Sequence, residues 1–519
     1  MLASLSKNSV YRAFVNSLWF TIILGLSLTS FPLLSKLTGA IVAPFSAIPL
    51  FFLILIWFVP FLLGKGTFPA EIIPLLYFVL IALVVSGLGF FLQGYYKLNL
   101  DFLNQIIRAF FTLVIGLSFY LVFSVFPGNE KALKKTLGFI YISAGILILL
   151  TLFEFIMIRT YGRPARFPEW LISFRRFLAV QSLNVFSSNR VSGFAYEPSW
   201  FAQEFSLIFF PLWLSAVYQR KSIFKFRLWF IQIEDILLVA GLIVFGLGSP
   251  RIGLLAFVLS VAYIGYLLFR DLHKKILKWL LNRRKHPFRH QFLMKFLLAF
   301  LLLSIIVVGT GSLLAGYILS ASRWDDRFQT LLDETMSIAS INVFQLSEAE
   351  IMAYAKDFVF LERVVYWSAG WKVFNSYPFG VGLGNAGFYL GERFHGAGYD
   401  SPEIRDLLYR ANYLPNTKNL WTRLLAETGF IGLAVFLIWL YILWRSSALM
   451  RKSQSTVLRI MGLAGQLFLL AYLVEGFSMD SFAMPYQWVM AGLISAGGLI
   501  ARREFQTKDK HEESLSAPA

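Results

Sequence analysis

The sequence predicts an all-α integral membrane protein of about twelve transmembrane helices with a partly helical external loop domain. Three observations predict it. Of 519 residues, 57% are hydrophobic and 15% charged, and the mean hydropathy is +0.66, a balance that a water-soluble domain of this length does not carry. Apolar runs long enough to cross about 30 Å of hydrocarbon recur along the chain. The segments between them divide into lysine-rich and lysine-poor sets, as the positive-inside rule requires.

The runs lie near 15–34, 41–63, 72–93, 106–126, 137–158, 200–217, 233–248, 252–269, 296–319, 428–444, 457–477 and 482–500. Lys7 and Arg12 precede the first run, which is too long for a signal peptide and lacks a small-residue cleavage site, so it reads as an uncleaved span. The two short runs beside Ser249-Pro250-Arg251 read as tilted spans joined by a tight turn, with a single long buried segment as the alternative. The chain thus divides into 1–319, holding spans one to nine and an arginine-rich external loop at 159–199, then a large external loop at 320–427. Spans ten to twelve and a cytoplasmic tail occupy 428–519.

With both termini cytoplasmic, the inner segments hold 27 of the 47 basic residues, 15 of them lysine, whereas the outer side holds 5 lysines and 15 arginines. Lysine suits a solvated anionic lipid surface. Arginine, a planar fork of five donors, suits bidentate binding of phosphate or carboxylate. Six arginines and no lysine lie between Arg159 and Arg190: Arg159, Arg163, Arg166, Arg175, Arg176 and Arg190. The net charge of +18 follows largely from the inner-leaflet bias, and no basic soluble domain carries it, so no nucleic-acid partner is expected. There is no cysteine, which excludes disulfides and thiol chemistry. His273, His286, His290 and His511 fall on the inner side and only His395 outside, so no metal site and no cofactor are expected. The absence of any Asn-x-Ser/Thr acceptor fits a bacterial plasma membrane.

Between spans eight and nine, the basic stretch Arg270 to His290 interleaves cations with Leu and Trp279, as in an amphipathic helix on anionic headgroups. In the long external loop, Asp325 to Ala339 and Ser347 to Asn375 show helical spacing, with Ser347 and Glu350 as a capping box. The run Tyr377-Pro378-Phe379-Gly380-Val381-Gly382-Leu383-Gly384-Asn385-Ala386-Gly387 ends the second helix. Its glycines, Gly382 and Gly384 among them, let a backbone approach a ligand closely, a plain turn being the other reading. No Lys-Ser/Thr follows, so it is not a nucleotide phosphate loop. No internal repeat is visible, which counts against transporters built from inverted halves.

Four motifs resemble those of the bacterial O-antigen ligase and O-antigen or exopolysaccharide polymerase superfamily. Lys418-Asn419, nine residues, Gly429, two residues, Gly432 resembles the ligase pattern with lysine where the family has histidine. Ser249-Pro250-Arg251-Ile252-Gly253 resembles a Ser-Arg-x-Gly turn with one residue inserted. Glu362-Arg363-Val364-Val365-Tyr366-Trp367, leading into Pro378-Phe379-Gly380-Val381-Gly382, resembles an Arg-x-x-x-Trp to Pro-x-Gly-x-Gly block. Arg190-Val191-Ser192-Gly193-Phe194-Ala195-Tyr196-Glu197-Pro198-Ser199-Trp200 resembles an Arg-x-Ser-Gly-x-x-x-Glu-Pro-Ser element.

The resemblance implies a metal- and nucleotide-independent glycosyltransferase acting at the outer face. Its donor and acceptor would be glycans on undecaprenyl pyrophosphate, within membrane lipid, with a chain-length regulator and a flippase as partners. A departing pyrophosphate builds negative charge, which fixed guanidinium groups beside hydrocarbon stabilise. Arg190, Arg251 and Arg363 are the candidates; snorkelling is the other reading for Arg251, and a helix-face salt bridge with Glu362 or Asp357 for Arg363. Asn419, Gly382 and Gly384 complete the expected substrate-binding set. The acceptor hydroxyl needs a base. Lys418 occupies the motif position, and lysine is a poor base at neutral pH unless desolvated, so Glu197 is the second candidate, although Glu-Pro at the start of a span also reads as a helix cap. Glu427 and Asp480 at outer boundaries rank below it. The Lys418 departure favours polymerisation of repeat units over ligation of glycan to lipid A core or protein. A transporter of lipid-linked oligosaccharide or small anions is the reading from another class, disfavoured by the large loop and by an expected lack of intramembrane charge pairs.

Overall fold

A computed structural model describes residues 9–38, 40–92, 96–97, 100–182, 185, 190–224, 227–229, 231–248, 250–283, 312, 316, 361–394, 401–410 and 414–516. The principal helices are α1 (Ser9–Ser27), α2 (Ala47–Leu63), α3 (Ile72–Leu92), α4 (Phe102–Val125), α5 (Glu130–Tyr161), α6 (Glu169–Leu178) and α7 (Pro198–Gln219). They continue with α8 (Ile233–Gly248), α9 (Arg251–Arg283), α10 (Leu361–Ser376), α11 (Pro402–Tyr409), α12 (Leu420–Met450), α13 (Thr456–Glu475) and α14 (Pro485–Ser516). Two two-residue strand pairs are the only sheet among the described residues.

Local chemistry sets several boundaries. Asn129 and Asp101 cap α5 and α4 by accepting the backbone N–H of Ala132 and Leu103, satisfying donors that a helix start leaves open. A π-turn interrupts α2 at Ile54–Phe58 and α7 at Phe205–Phe209, each two residues before a proline, Pro60 and Pro211. Proline lacks the N–H and crowds the carbonyl four residues back, so the helix widens by a residue there.

Eight helices, α1, α3, α4, α5, α7, α9, α12 and α13, are long and apolar enough to cross a membrane. Of the twelve spans expected, eight are matched by helices of that kind among the described residues. Three more predicted spans fall on helices below that standard: α2 and α8 are too short, and α14 dilutes its apolar residues with Gly, Ser and a polar second half. All but residues 312 and 316 of the span at 296–319, the helix at 325–339, the Ser347–Glu350 box, Asp357 and His395 lie outside the described residues. The turn before Pro250 does separate two helices, and the basic stretch up to Arg283 continues α9 without a break.

α7 is the hub: 89% of its spanning window is buried, against 28% for α3. It packs on α13, which also holds α9 and α12, while α14 lies along α4 and α12 along α3. Aromatic side chains fill this centre, with Phe209 and Trp213 stacked at 5.5 Å and Phe205, Phe210 and Phe245 around them. Burying such rings against one another is favoured by area and by ring geometry. One end of the bundle gathers the starts of α7 and α9, the end of α13 and helices α10 and α11; the candidate site lies there.

Candidate functional site

The arginines of the 159–190 stretch act differently from one another. Arg175 is 4% exposed, and its Nη2 pairs with Glu154 Oε1 of α5 at 2.8 Å. Its Nε and Nη2 also donate to Gln181 Oε1 at 3.1 and 3.0 Å. The second Glu154 oxygen accepts the N–H groups of Ser192 and Gly193 at 3.1 and 2.7 Å. Gly193 can present its amide this way because its φ is +57°, a conformation that favours glycine. A buried ion pair therefore pins the segment that runs from Arg190 to Ser199.

Arg190, at the head of that segment, is half-buried and donates from Nε and Nη2 to the Gly248 carbonyl at 2.9 and 2.7 Å. Val191 N–H reaches the Leu247 carbonyl. The end of α8 accepts both because its last carbonyls have no partner within the helix. Three residues beyond Gly248, Arg251 opens α9. Glu197 sits at the N-cap position of α7, where its carboxylate accepts the Ser199 hydroxyl at 3.2 Å.

Gly253, two residues into α9, faces Glu475, the last residue of α13. A Cβ at 253 would lie 3.3 Å from Glu475 Oε1, 3.2 Å from Ala202 Cβ and 3.0 Å from the Phe245 ring. Glu475 is 1% exposed; its Oε2 accepts the Ser478 hydroxyl at 3.1 Å, and Gln203 of α7 donates to the same hydroxyl at 3.2 Å. Arg363 of α10 is close enough for its charge to act on this carboxylate, as is the Ser206 hydroxyl. The α10 helix is fastened over this end by Trp367, whose ring contacts Phe477 at 5.5 Å. Its neighbour Glu362 accepts the Ser401 hydroxyl at 3.0 Å. The elements that carry Arg251 and Arg363 thus meet at one buried carboxylate, and Arg190 fastens the end of α8 that leads into Arg251.

The two glycine motifs fit each other. Val381 and Gly382 donate to the carbonyls of Ala426 and Glu427 at 2.9 Å each, and Phe430 donates to Pro378 at 3.1 Å. Gly380, Gly382, Gly384 and Gly429 all have positive φ. A Cβ on Gly380 would stand 2.6 Å from the Glu427 carbonyl oxygen, one on Gly429 2.4 Å from the Phe379 backbone, and one on Gly384 2.7 Å from the Gln105 carbonyl oxygen. Gly382 faces Ser86 of α3, whose hydroxyl accepts the Leu383 N–H at 2.8 Å. The close backbone approach expected of Gly382 and Gly384 is made here to the chain itself.

Lys418 takes a left-handed conformation, φ +49°. Its ammonium pairs with Glu403 of α11 and lies 4.7 Å from the centre of the Tyr366 ring of α10, whose hydroxyl donates to the same Glu403 oxygen. Asn419 caps α12 through Oδ1, which accepts the N–H groups of Trp421 and Thr422; its Nδ2 has no partner among the described residues. Glu427 is bound by Arg423 at 3.0 Å, and Asp480 accepts Asn416 at 3.0 Å.

Reading the sequence overlooked Glu475. A carboxylate closing an apolar run, as in Leu473-Val474-Glu475-Gly476, was the available signal, since ionisable groups at membrane depth mark function. The expected lack of intramembrane charge pairs is corrected as well. Glu154–Arg175 and Arg423–Glu427 are buried pairs reaching into spanning helices, and Glu71, fully buried, is held by Arg502 at 2.7 Å at the opposite end. Such pairs hold helices together where unpaired charge is costly, so their presence does not separate enzymes from transporters.

Residues 236–437 match the family model described as O-antigen ligase. The match takes in Arg251, Arg363, both glycine motifs and Lys418–Asn419, and it ends before Glu475. No curated protein matches the chain.

Proposed function

We propose, from the match of residues 236–437 to the family model described as O-antigen ligase, that this chain polymerises undecaprenyl-pyrophosphate-linked oligosaccharide repeat units in the synthesis of a cell-surface polysaccharide. The family implies glycan transfer of the ligase or polymerase type on lipid-linked substrates. The growing chain passes from its undecaprenyl pyrophosphate to a hydroxyl of a second lipid-linked unit at the outer face of a bacterial plasma membrane, both termini being cytoplasmic. The observation that carries this reading is the meeting of the Arg251 and Arg363 elements at one buried carboxylate, with Arg190 fastening the end of α8 before Arg251.

In this reading Arg251 and Arg363 hold the departing pyrophosphate, and Arg190 keeps the end of α8, and so the turn into Arg251, in place. Fixed guanidinium donors in a site shielded from water stabilise the charge that develops as the sugar–phosphate bond breaks. The glycine lock and the Lys418–Glu403 pair hold α10 and α12 in register beneath it. The reaction needs neither a metal nor a nucleotide. A flippase and a chain-length regulator would serve the same product as partners.

The test is incubation of the purified protein with lipid-linked repeat units, read as a ladder on a gel. Wild-type protein is expected to lengthen the glycan and release undecaprenyl pyrophosphate. Arg251→Ala and Arg363→Ala, present at normal levels, are expected to lose at least about 100-fold in rate, the scale of removing a charge-stabilising donor. A full ladder from both variants refutes their role. Transfer only when lipid A core is supplied would make the protein a ligase, and movement of the lipid without pyrophosphate release would make it a transporter.

A further inference from the structure

We infer that Glu475 is the catalytic carboxylate that takes the proton of the acceptor hydroxyl, a role the sequence suggests for Glu197 or Lys418. The inference rests on the glycan-transfer reading above and adds the group that reading lacks. Lys418 is tied to Glu403, and Glu427 to Arg423, so neither has a carboxylate or amine at liberty. Glu475 differs. Its Oε2 is held by Ser478, which fixes the rotamer. Its Oε1, on a side chain 1% exposed, has no donor at full hydrogen-bond geometry among the described residues, although the Ser206 hydroxyl is near. Leaving a buried polar atom without a partner is unfavourable, and most such atoms are paired. Retaining such an atom at the end of an apolar helix points to a ligand.

Oε1 faces the right place for that ligand. Gly253 stands against it, and a Cβ there would close the approach to 3.3 Å. Gly253 shares the first turn of α9 with Arg251, on a different face of the helix, and Arg363 of α10 is close enough for its charge to act on the carboxylate. A pyrophosphate held at Arg363 would bring the anomeric carbon of its sugar beside Glu475. The glycine of the Arg251-Ile252-Gly253 turn acquires a reason: it leaves beside Oε1 the space a methyl would take, besides letting α9 pack on Ala202 and Phe245.

The step balances without a further reagent. A lone pair of the acceptor hydroxyl forms the new bond to the anomeric carbon, and the bond from that carbon to the pyrophosphate oxygen breaks, its electron pair leaving with undecaprenyl pyrophosphate. The hydroxyl proton passes to Glu475 Oε1, which later returns it to water.

The experiment compares wild type, Glu475→Gln and Glu475→Asp in the purified full chain, scoring turnover of lipid-linked repeat units and, separately, stabilisation against heat by a short-chain polyprenyl pyrophosphate. Glutamine keeps the shape and the Ser478 contact but cannot accept the proton. Turnover is expected to fall by about 10²–10⁴-fold, the usual worth of a positioned base, with the heat stabilisation unchanged; aspartate should recover at least a tenth of wild-type turnover. Glutamine turnover within threefold of wild type overturns the inference, and so does loss of turnover and stabilisation together, which would mark Glu475 as a packing residue. If wild type itself leaves the repeat units unchanged, it is the glycan-transfer reading that fails.

Discussion

Replacing Arg175 by methionine tests how the loop before α7 is built. The substitution keeps an unbranched apolar stem and deletes the guanidinium, stranding Glu154 in a site where the two side chains are 5% and 3% exposed. Breaking a buried pair by removing one partner costs about 3–5 kcal/mol, because the remaining charge is left uncompensated. Two features place this case at the low end: Glu154 keeps the amides of Ser192 and Gly193, and a stranded carboxylate can bind a proton. Loss of the two contacts to Gln181 adds to the cost, so about 3 kcal/mol is expected. Glu154→Gln should cost a similar amount by stranding the arginine. The double variant should recover at least about 1.5 kcal/mol relative to the sum, since contacting residues couple at about 0.5–3 kcal/mol. The assay is equilibrium unfolding in mixed detergent micelles, with the three variants compared at the transition midpoint. A cost below about 1 kcal/mol for either single change, or additivity within about 0.5 kcal/mol, would refute the claim that this pair fastens the Arg190–Ser199 segment.

Gly429→Ala should be far more damaging than its size suggests. With φ +69° and ψ −174° the residue occupies a region essentially reserved for glycine, and the new methyl would stand 2.4 Å from the Phe379 backbone, so folded protein recovered from membranes should drop severalfold; normal recovery would contradict the lock between the two glycine motifs. Lys418→Gln removes a pair whose side chains are 37% and 46% exposed. Exposed pairs contribute about 0–1 kcal/mol, so turnover of lipid-linked units should stay within about threefold, whereas a hundredfold loss would restore Lys418 as the base. Arg502→Met leaves the fully buried Glu71 without its bidentate partner and should cost about 3 kcal/mol in the same unfolding assay, with little change in turnover per folded molecule, because it acts at the opposite end of the bundle.

The helical membrane architecture was legible because burial in lipid demands long apolar runs, and those survive any detail of packing. Two of the shorter or more polar runs show what sets a helix below a length-and-hydropathy standard. α8 stops at sixteen residues because the chain must turn before Pro250, and α14 buries Gly, Ala and Ser against α4 and α12 rather than showing leucine to lipid. Small residues let helices approach closely, so a helix inside the bundle reads as less hydrophobic than one at its edge. Positive charge counts could not separate Arg175 from Arg190 either: whether a guanidinium meets a carboxylate or a carbonyl depends on Glu154 and Gly248, 21 and 58 residues away in the sequence.

The motifs of the resemblance gain a physical meaning that their spacing alone does not disclose. Pro378 to Gly382 and Gly429 to Gly432 are far apart in the chain, yet Gly380 is required by the Glu427 carbonyl oxygen 2.6 Å from its Cβ position, and Gly429 by the Phe379 backbone at 2.4 Å. They are one structural device, and its consequence is positional. It fixes α10 against the start of α12, and α12 is bound to the end of α13 by the Leu420 amide on the Gly476 carbonyl at 2.8 Å and by Trp421 Nε1 on the Leu473 carbonyl at 3.1 Å. Glu475 lies between those two acceptors. A lock made of glycines therefore sets where Arg363 stands relative to Glu475, and a change of a few tenths of an ångström at Gly380 should reach the chemistry without touching any substrate. Gly380→Ala proteins that still fold should then lose turnover while keeping their affinity for a polyprenyl pyrophosphate. Equal loss of both would mean that the lock supports the arginine side of the site alone.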